Sequence, residues 1–381
     1  MSKILSTVAC NLDNDILGAC LPLMEESRIE ALEWSFDTLY KVQEIPTWFQ
    51  ELLTAFSKEK RLIGHGVFFS LFSGKWLPEQ EAWLKALQQT CSEFQFDHIT
   101  EHFGFMTGKN FHQGAPLNIP YTPTTLAIGQ DRLKRIYAAC QCPVGLENLA
   151  FSYSLDEVKR HGRFLDKLLE PVNGFIILDL HNLWCQLHNF SIALEELIGL
   201  YPLDRVREIH ISGGSWDHSQ IEKGRTIRRD THDDAVPAAV FQLLETVIPA
   251  CPHLKYVVLE QLGNGLESIE SKQQFYADFL EMESIIRRQS QPAYLTNLAS
   301  FLPLSPIVMG PPVEDEGLYE QQAALSTILE TSHSYEEART LLGQSSLACS
   351  EWQVENWDPA MIETAMKIAQ KWKAGFVGFI S

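Results

Sequence analysis

The chain has 381 residues, enough for one barrel of about 250 residues with a smaller addition, or for two domains of ordinary size. Its composition, 45% hydrophobic and 21% charged, is that of a globular protein, and no apolar run approaches the roughly 18 residues of a membrane span. The net charge of −19 disfavours nucleic acid as a partner, because affinity for phosphates comes chiefly from Lys and Arg. Eight scattered cysteines and an N-terminus without a signal-peptide pattern predict a cytoplasmic protein without a disulfide framework and without a membrane role.

Short β-rich runs alternate with helical segments along the first 290 residues, which is the pattern of a parallel α/β protein. Eight runs have the composition of buried strands, as a (β/α)8 TIM barrel requires. They are Ile4–Cys10, Ile29–Phe36, Arg61–Phe69, Phe94–Phe103, Val144–Ala150, Phe175–Leu180, Val206–Ile211 and Tyr256–Gln261. The sequence therefore predicts an α/β fold, a TIM barrel over residues 1–290 with a small C-terminal helical extension.

Helical periodicity occupies most of the intervals between these strands. The predicted barrel helices are Thr47–Lys60, Glu79–Cys91, Thr124–Cys140, Leu155–Leu169, Ile192–Leu200, Val236–Ala250 and Lys272–Arg288. The Gly- and Pro-rich loop between the fourth and fifth strands, which contains His112, is long enough to be an active-site lid.

Residues 291–381 begin as a proline-rich linker and continue as a helical module, so a domain boundary is predicted near residue 290. Its helices are predicted over Leu318–Thr331, after the capping box Ser334-x-x-Glu337, and from Asp358-Pro359 to about Gly375. The module contains no cluster of ligand-type residues. Packing, partner binding or oligomerisation is therefore expected of it, and not chemistry.

Potential metal ligands stand at or just beyond the carboxyl ends of most predicted strands. Because these ends meet at one mouth of a barrel, the side chains are expected to lie together there. They are His65, Glu101, His102, Glu147, Asp179, Asn182, His210, Asp230, His232 and Glu260. Asp230 and His232 form an Asp-x-His pair on the loop that follows the seventh strand.

The number and type of these residues predict metal binding. Carboxylates flanked by Ile, Leu and Val are costly to bury unless they are paired or coordinated. The set exceeds the four ligands of a tetrahedral zinc and contains no cysteine, which disfavours a structural zinc and an iron–sulfur cluster. More than one metal with mixed nitrogen and oxygen ligation is expected, which suits iron, manganese or zinc. No dinucleotide-binding, Walker, nucleophile-elbow or HExxH motif indicates another chemistry.

Seven segments also carry a resemblance to a known family. They are GHGVFFS, DHITEHF, GLENLA, LDLHNLW, REIHISGG, DTHDDAVPAAVFQLL and VVLEQLG, in the family's order and within about the first 285 residues. In these segments the sequence resembles the multinuclear non-heme iron-dependent oxidative enzymes, a TIM-barrel family that includes the methanobactin-biosynthesis oxidase. The resemblance implies two or three non-heme irons at the barrel mouth, with dioxygen as co-substrate.

Carried over position by position, the resemblance implies three sets of iron ligands. His65, His102 and Glu147 would hold one iron. Asp179, His210 and Glu260 would hold a second, with Glu147 as a bridge, and Asn182, Asp230 and His232 would hold a third. The residues for which the resemblance implies a catalytic role are His65, Glu101, His102, Glu147, Asp179 and His210.

Two positions depart from the family pattern. Gly214 stands where relatives often carry a second histidine, and His181 stands where they usually carry Asn. The implied reaction is an iron- and dioxygen-dependent oxidation of a side chain, usually a cysteine, in a ribosomally made precursor peptide. The implied partners are that peptide and a leader-peptide-binding protein, to whose task the helical tail would contribute.

Three other interpretations stay open from the sequence. A metal-dependent sugar isomerase or epimerase uses similar ligands on the same barrel, although the Asp230 and His232 pair is additional and no Lys is evident to polarise a sugar. A zinc hydrolase of the endonuclease type is disfavoured by the net charge of −19. A catalytically silent barrel that acts as a scaffold is the third, and failure to bind any metal would favour it.

Overall fold

A computed structural model describes residues 3–40, 44–107, 116–289 and 298–373. These residues form twelve β-strands and twelve α-helices. The strands are β1 (Leu5–Ala9), β2 (Ala31–Trp34), β3 (Leu62–Gly66), β4 (Ile99–His102), β5 (Phe105–Met106), β6 (Pro116–Leu117), β7 (Val144–Glu147), β8 (Phe175–Asp179), β9 (Val206–Ser212), β10 (Trp216–His218), β11 (Thr226–Arg228) and β12 (Tyr256–Glu260). The helices are α1 (Asn14–Glu25), α2 (Thr47–Lys58), α3 (Pro78–Glu93), α4 (Pro123–Cys140), α5 (Leu155–Leu169), α6 (Leu180–Asn189), α7 (Leu194–Ile198), α8 (Ala238–Val247), α9 (Ile269–Gln289), α10 (Glu316–Thr331), α11 (Tyr335–Gln344) and α12 (Pro359–Lys373).

Eight strands close into a barrel in the order β1-β12-β9-β8-β7-β4-β3-β2, and every neighbouring pair is parallel. Seven of the eight lie within the predicted strands and β9 extends one residue beyond its predicted end, so the predicted (β/α)8 TIM barrel is confirmed. The other four strands form two short antiparallel ribbons, β5–β6 and β10–β11, on the segments that follow β4 and β9. The Asp230 and His232 pair lies just beyond β11, on a loop as predicted.

Alternation along the strands decides which side chains enter the barrel, because successive residues point to opposite faces. In β9, Ile209 and Ile211 pack in the main core between strands and helices, whereas Glu208 and His210 point inward. A small apolar cluster lies on the inward face below the mouth: Ala9, Ala31, Ile63, Tyr256 and Val258. The interior is therefore apolar only in part, and ionisable side chains occupy the rest of it.

Two helices were not predicted, and both have a local reason. In α1, Gly18 and Pro22 interrupt the helical signal, although Asp13 caps its first turn through bonds to two backbone N–H groups. No loop separates α6 from β8, because Asp179 ends the strand and also caps the helix by accepting a hydrogen bond from the Asn182 N–H at 2.6 Å. No helix in the described part of the chain is both long and apolar enough to cross a membrane.

The tail, residues 298–373, lies against the barrel from one end to the other. Phe301 packs on Phe175 at the end where the strands begin, with ring centroids 5.7 Å apart. At the end where the strands finish, Trp357 stacks on Tyr153 with a centroid distance of 3.7 Å. The predicted tail helices are present as α10, α11 and α12, but residues 290–297 and 108–115 lie outside the described ranges. The predicted boundary near residue 290 and the predicted lid with His112 thus stay predictions.

Candidate metal centre

The carboxyl ends of the strands bring nine of the ten predicted site residues together. We call them the mouth cluster: His65, His102, Glu147, Asp179, Asn182, His210, Asp230, His232 and Glu260. Seven of them fall into three groups whose nitrogen or oxygen atoms lie within 4.8 Å of one another: His65–His102–Glu147, Glu147–Asp179–His210 and Asp179–His232–Glu260. Asn182 and Asp230 join through contacts with Glu147 at 3.1 Å and with His232 at 2.7 Å.

In the first group, hydrogen bonds fix which nitrogen of each histidine carries a proton. His102 Nδ1 lies 3.1 Å from the Gly66 carbonyl, which can only accept, so Nδ1 is the donor. His65 Nδ1 lies 2.9 Å from the Thr100 hydroxyl, which already donates to the Gly64 carbonyl and so accepts from His65. In the neutral rings, both Nε2 lone pairs then face Glu147 Oε2, at 3.3 and 3.4 Å.

Two lone pairs and a carboxylate oxygen that face each other require a cation between them. Burial alone would lower the pKa of His65, but Glu147 and Glu33 outweigh it and raise that pKa to about 9. The pKa of His102 is instead lowered by burial. A proton can therefore satisfy one of the two rings, whereas a metal ion would satisfy both rings and the carboxylate together.

His210 is oriented in the same manner in the second group. Its Nε2 lies 3.0 Å from Glu208 and 3.1 Å from Glu33, two carboxylates that accept its proton. Its Nδ1 forms no hydrogen bond and lies 3.2 Å from Glu260. The lone pair of Nδ1 therefore points toward the cluster, as expected for a metal-binding histidine whose other nitrogen is held by a carboxylate.

The third group joins the loop after β11 to the barrel. His232, whose φ of 52° is in the left-handed region, places Nδ1 at 3.1 Å from Glu260 and Nε2 at 2.7 Å from Asp230. Asp179 belongs to this group as well as to the second. The structure thus groups His232 with Asp179 and Glu260 as well as with Asp230, whereas Asn182 contacts Glu147.

Five atoms of the mouth cluster are buried and take part in no hydrogen bond. They are Glu147 Oε2, Asp179 Oδ2, Asn182 Oδ1, His210 Nδ1 and His232 Nε2. Each unsatisfied buried polar atom costs free energy, and although twelve others lie elsewhere in the described residues, these five are on side chains that contact one another. Carboxylate and amide oxygens and imidazole nitrogens are atoms that a first-row metal ion binds, so the residues present fit a metal centre.

Two interior carboxylates, Glu33 on β2 and Glu208 on β9, were not predicted as site residues. Together with His210 they form a fourth group of possible ligands. Glu208 could have been found from the sequence, because it stands two residues before His210 and so shares its face of the strand. Glu33 lies inside a predicted strand, but only residues at strand ends were considered there.

Glu208 also belongs to a second set of charges below the mouth, which we call the inner cluster: Asp97, His98, Arg207, Glu208 and Lys255. Glu208 lies 2.6 Å from His98 Nε2, and Asp97 pairs with Arg207 at 2.7 Å and with Lys255. Burial would raise the pKa of Glu208, but His98 and His210 hold it well below its usual range. In this cluster, protein cations balance the carboxylates.

Glu101 is the predicted residue that the structure does not bring to the mouth cluster. It is adjacent to His102 and so points to the opposite face of β4, toward the helices. Its carboxylate lies over Gly66 on β3, where a Cβ atom would come within 1.8 Å of it. Burial and the neighbouring Asp37 raise its pKa well above the usual range. The expectation that Glu101 stands beside His102 at the mouth was wrong.

The sequence was compared with families of known proteins. The sequence model of the family described as "RiPP precursor modification enzyme MbnB/TglH/ChrH" matches residues 38–273. That range is more than half of the chain and holds every residue of the mouth cluster. The chain belongs to this family. Its members modify ribosomally synthesised precursor peptides, so the family resemblance noted from the sequence is confirmed.

Several curated bacterial relatives carry only the name "UPF0276 protein". One from Caulobacter vibrioides is 26% identical over 183 residues, which cover 48% of this chain and 62% of the relative. One from Anaeromyxobacter sp. is 29% identical over 188 residues, with coverages of 48% and 62%. The chain thus matches less than two thirds of the length of either relative.

Solved structures with a similar barrel include an L-ribulose 3-epimerase, at 11% identity and a TM-score of 0.46, covering 76% of this chain and 97% of that one. Another is a xylose isomerase-like TIM barrel protein from Mycobacterium smegmatis in complex with magnesium, at 10% identity and 0.43, covering 74% and 98%. At such TM-scores and identities, no functional conclusion follows from either structure.

Proposed function

We propose that the chain is an iron- and dioxygen-dependent enzyme that oxidises a side chain, usually a cysteine, in a ribosomally made precursor peptide. Membership of the family supports a peptide substrate. The observation that carries the metal part is the pair of imidazole lone pairs facing one buried carboxylate, His65 and His102 against Glu147. The mixed nitrogen and oxygen donors, without cysteine, suit iron.

In this proposal the mouth cluster supplies three sets of ligands. His65, His102 and Glu147 would hold one iron. Glu147 with Asp179, His210 and Glu260 would hold a second, and Asn182, Asp230 and His232 would hold a third. Asp179 and Glu260 lie close enough to His232 to be shared between the last two sets.

Bound iron would supply the electron transfer that reaction with dioxygen requires. The residues of the chain bind, orient and exclude water. The side chains of His102 and Asp230 are 26% and 23% exposed. Five other ligands are at most 4% exposed: His65, Glu147, Asp179, Asn182 and His210. The substrate side chain therefore enters past His102 and Asp230, and the deeper residues keep the metals in place.

The rest of the peptide is proposed to bind at the rim of the same mouth. A cavity of about 360 Å³ lies there between the start of α5, the segment before α4 and residues 351–357 of the tail. Its wall contains the carboxylates of Asp156, Glu157 and Glu351, the guanidinium of Arg160, which lies 3.4 Å from Asp156, and the rings of Tyr121 and Trp357, so acidic groups outnumber the basic one. Carboxylates and aromatic faces together suit a basic segment of a precursor peptide, with or without a leader-binding partner protein.

Elemental analysis with Mössbauer spectroscopy tests the metal part, on protein purified without added metal and measured before and after exposure to air. Two or three irons per chain with signals that respond to dioxygen are expected. Stoichiometric zinc or manganese that is indifferent to dioxygen would overturn the proposal and favour an isomerase or a hydrolase.

A further inference from the structure

His181, on the first turn of α6, is a fully buried histidine with both ring nitrogens engaged. Its Nε2 lies 2.9 Å from Arg228 Nε, and its Nδ1 lies 3.0 Å from Oδ1 of Asp230 in the mouth cluster. The chain Arg228–His181–Asp230 therefore connects the β10–β11 ribbon to the candidate metal centre through one imidazole.

These two contacts fix the tautomer of His181. An arginine Nε–H can only donate, so His181 Nε2 accepts and carries no proton. The proton of the neutral ring is then on Nδ1, which donates to Asp230 Oδ1. With one nitrogen protonated and the lone pair of the other directed at Arg228, His181 has no lone pair to offer a metal.

Arg228 is itself held in place on several sides. Its guanidinium lies over the rings of Trp184 and Trp216, at 4.6 and 5.1 Å from their centroids. Its backbone N–H donates to Asn189 Oδ1 at 2.8 Å, and its carbonyl accepts from Asn189 Nδ2 at 3.0 Å. Because Trp184 and Asn189 both belong to α6, the donor to His181 is fixed relative to the helix that carries His181.

Gly214 permits the close approach on which this arrangement depends. A Cβ atom at this position would lie 2.4 Å from the Arg229 carbonyl oxygen and 2.9 Å from Cε1 of His181. A side chain there would push the loop that carries Asp230 away from His181. The two departures from the family pattern thus lie in contact with each other and form one packing unit.

We infer that His181 is a positioning residue for Asp230: Arg228 fixes its tautomer, and its Nδ1–H holds Oδ1, the oxygen that also lies 2.7 Å from His232 Nε2, so that the Asp230 carboxylate stays beside the other donors of the third set. The inference rests on the proposed function, because it concerns one of the proposed iron ligands. Outer hydrogen-bond partners of this kind typically contribute a factor of about 10 to 100 in metal affinity.

The test is an anaerobic titration of the full chain with Co²⁺ alone, followed by the visible absorption of the bound ion. H181N keeps an N–H group near the position of Nδ1, whereas H181A removes it. H188A is the matched control, because His188 lies on the same helix and contacts Thr226 and Trp216 of the ribbon but no ligand, so it perturbs the packing around Arg228 without removing the bond to Asp230. Thermal unfolding of each variant checks that it is folded.

H181A is expected to weaken the lowest-affinity Co²⁺ site about tenfold and to change its absorption band. H181N should stay within about threefold of the unchanged chain, and H188A should match it. A wild-type titration curve for H181A would overturn the inference. If H181N and H181A lose the same Co²⁺ affinity, the imidazole is itself a ligand. If H188A loses as much affinity as H181A, the effect is one of general packing. Either result overturns the inference.

The inference and the proposed function fail in different ways. If the unchanged chain takes up no Co²⁺ and no iron, the proposed metal centre is wrong and the inference falls with it. If the unchanged chain binds these ions and the three variants do not differ as stated, only the role of His181 is wrong.

Discussion

The barrel interior contains two clusters of ionisable side chains at successive levels along its strands, and they differ in how their charges are satisfied. In the inner cluster, Arg207 and Lys255 pair with Asp97, and His98 pairs with Glu208. In the mouth cluster, the carboxylates contact histidines and an asparagine amide but no Lys or Arg of the described part of the chain. Five buried oxygen and nitrogen atoms of this cluster have no hydrogen-bond partner there. The two levels touch at His210, whose Nε2 faces Glu208 and whose Nδ1 faces Glu260.

This difference fits a structural use of charge in the inner cluster and the proposed metal binding in the mouth cluster. A buried ion pair that is complete within the protein needs nothing from outside, whereas buried carboxylates without cations are costly until one binds. The inner cluster therefore holds His210 in one orientation. The potential metal-binding atoms of the mouth cluster stay unpaired, which destabilises the metal-free chain. Metal binding would remove this cost.

The largest effect is expected at Glu147, which two of the ligand groups share and whose carboxylate faces both His65 and His102. E147Q keeps the size of the side chain but removes the charge that faces His65 and His102. Iron content should fall by at least one per chain, and metal affinity should drop by more than the factor of about 10 to 100 typical of outer partners. Elemental analysis after dialysis measures the iron that each chain retains.

E101Q is the matched control for this substitution, since Glu101 lies on the neighbouring strand and points away from the mouth. It should keep the full iron content. Retention of all iron by E147Q, or its loss in E101Q, would contradict the assignment of the mouth cluster as the metal centre.

A large effect on stability is expected from E208Q, in the inner cluster. Glu208 is fully buried, and His98 and His210 hold its pKa well below its usual range, so its ionised form contributes stability at neutral pH that Gln removes. Loss of one partner from a buried charged pair typically costs about 3–5 kcal/mol. Urea unfolding of the metal-free chain should show this loss. An unchanged midpoint would mean that the inner cluster is not the balanced structural unit described above.

The opposite sign is expected for D179N in the mouth cluster. Burial, together with Asp230 and Glu147, raises the pKa of Asp179 well above its usual range, so the ionised form costs stability at neutral pH. Asn removes that charge and can still cap α6. The metal-free variant should therefore gain stability on the order of 1 kcal/mol.

The same D179N variant should bind metal less tightly than the unchanged chain, which urea unfolding with and without added iron would reveal. If metal-free D179N were less stable than the unchanged metal-free chain, the proposed contrast between the mouth cluster and the inner cluster would be wrong. Stability gained by D179N and lost by E208Q would instead confirm it.

Alternation and strand count made the fold predictable, because eight apolar runs of regular spacing admit few other architectures. They also placed nine of the ten predicted site residues in one cluster. The prediction for Glu101 was wrong because neighbouring residues of a strand point to opposite faces, so Glu101 and His102 cannot both face the mouth. Glu33 was not predicted because it stands before the last residue of β2. The partners of His181 were not predictable, since Arg228 reaches it from a short ribbon whose position depends on tertiary packing alone.

The smallest effect is expected at the rim, where the tail meets the barrel. Deleting the tail would be a poor test of peptide binding, because Trp352 and Trp357 are buried and Trp357 stacks on Tyr153 of the barrel. Removing single charges from the cavity wall with D156N or E351Q is cleaner. Exposed charge pairs contribute about 0.2–1 kcal/mol, so each should weaken binding of the precursor peptide by up to about fivefold.

Fluorescence anisotropy with a labelled precursor peptide, taken from an open reading frame next to the chain's gene, measures this loss. E336Q is the control, as Glu336 is an exposed acidic residue of the same tail outside the cavity. Iron content should be the same in all three variants, because the cavity and the mouth cluster share no residue. Equal affinities in D156N, E351Q and E336Q would place the peptide elsewhere on the rim, and a parallel loss of iron would mean that the tail supports the metals and not the peptide.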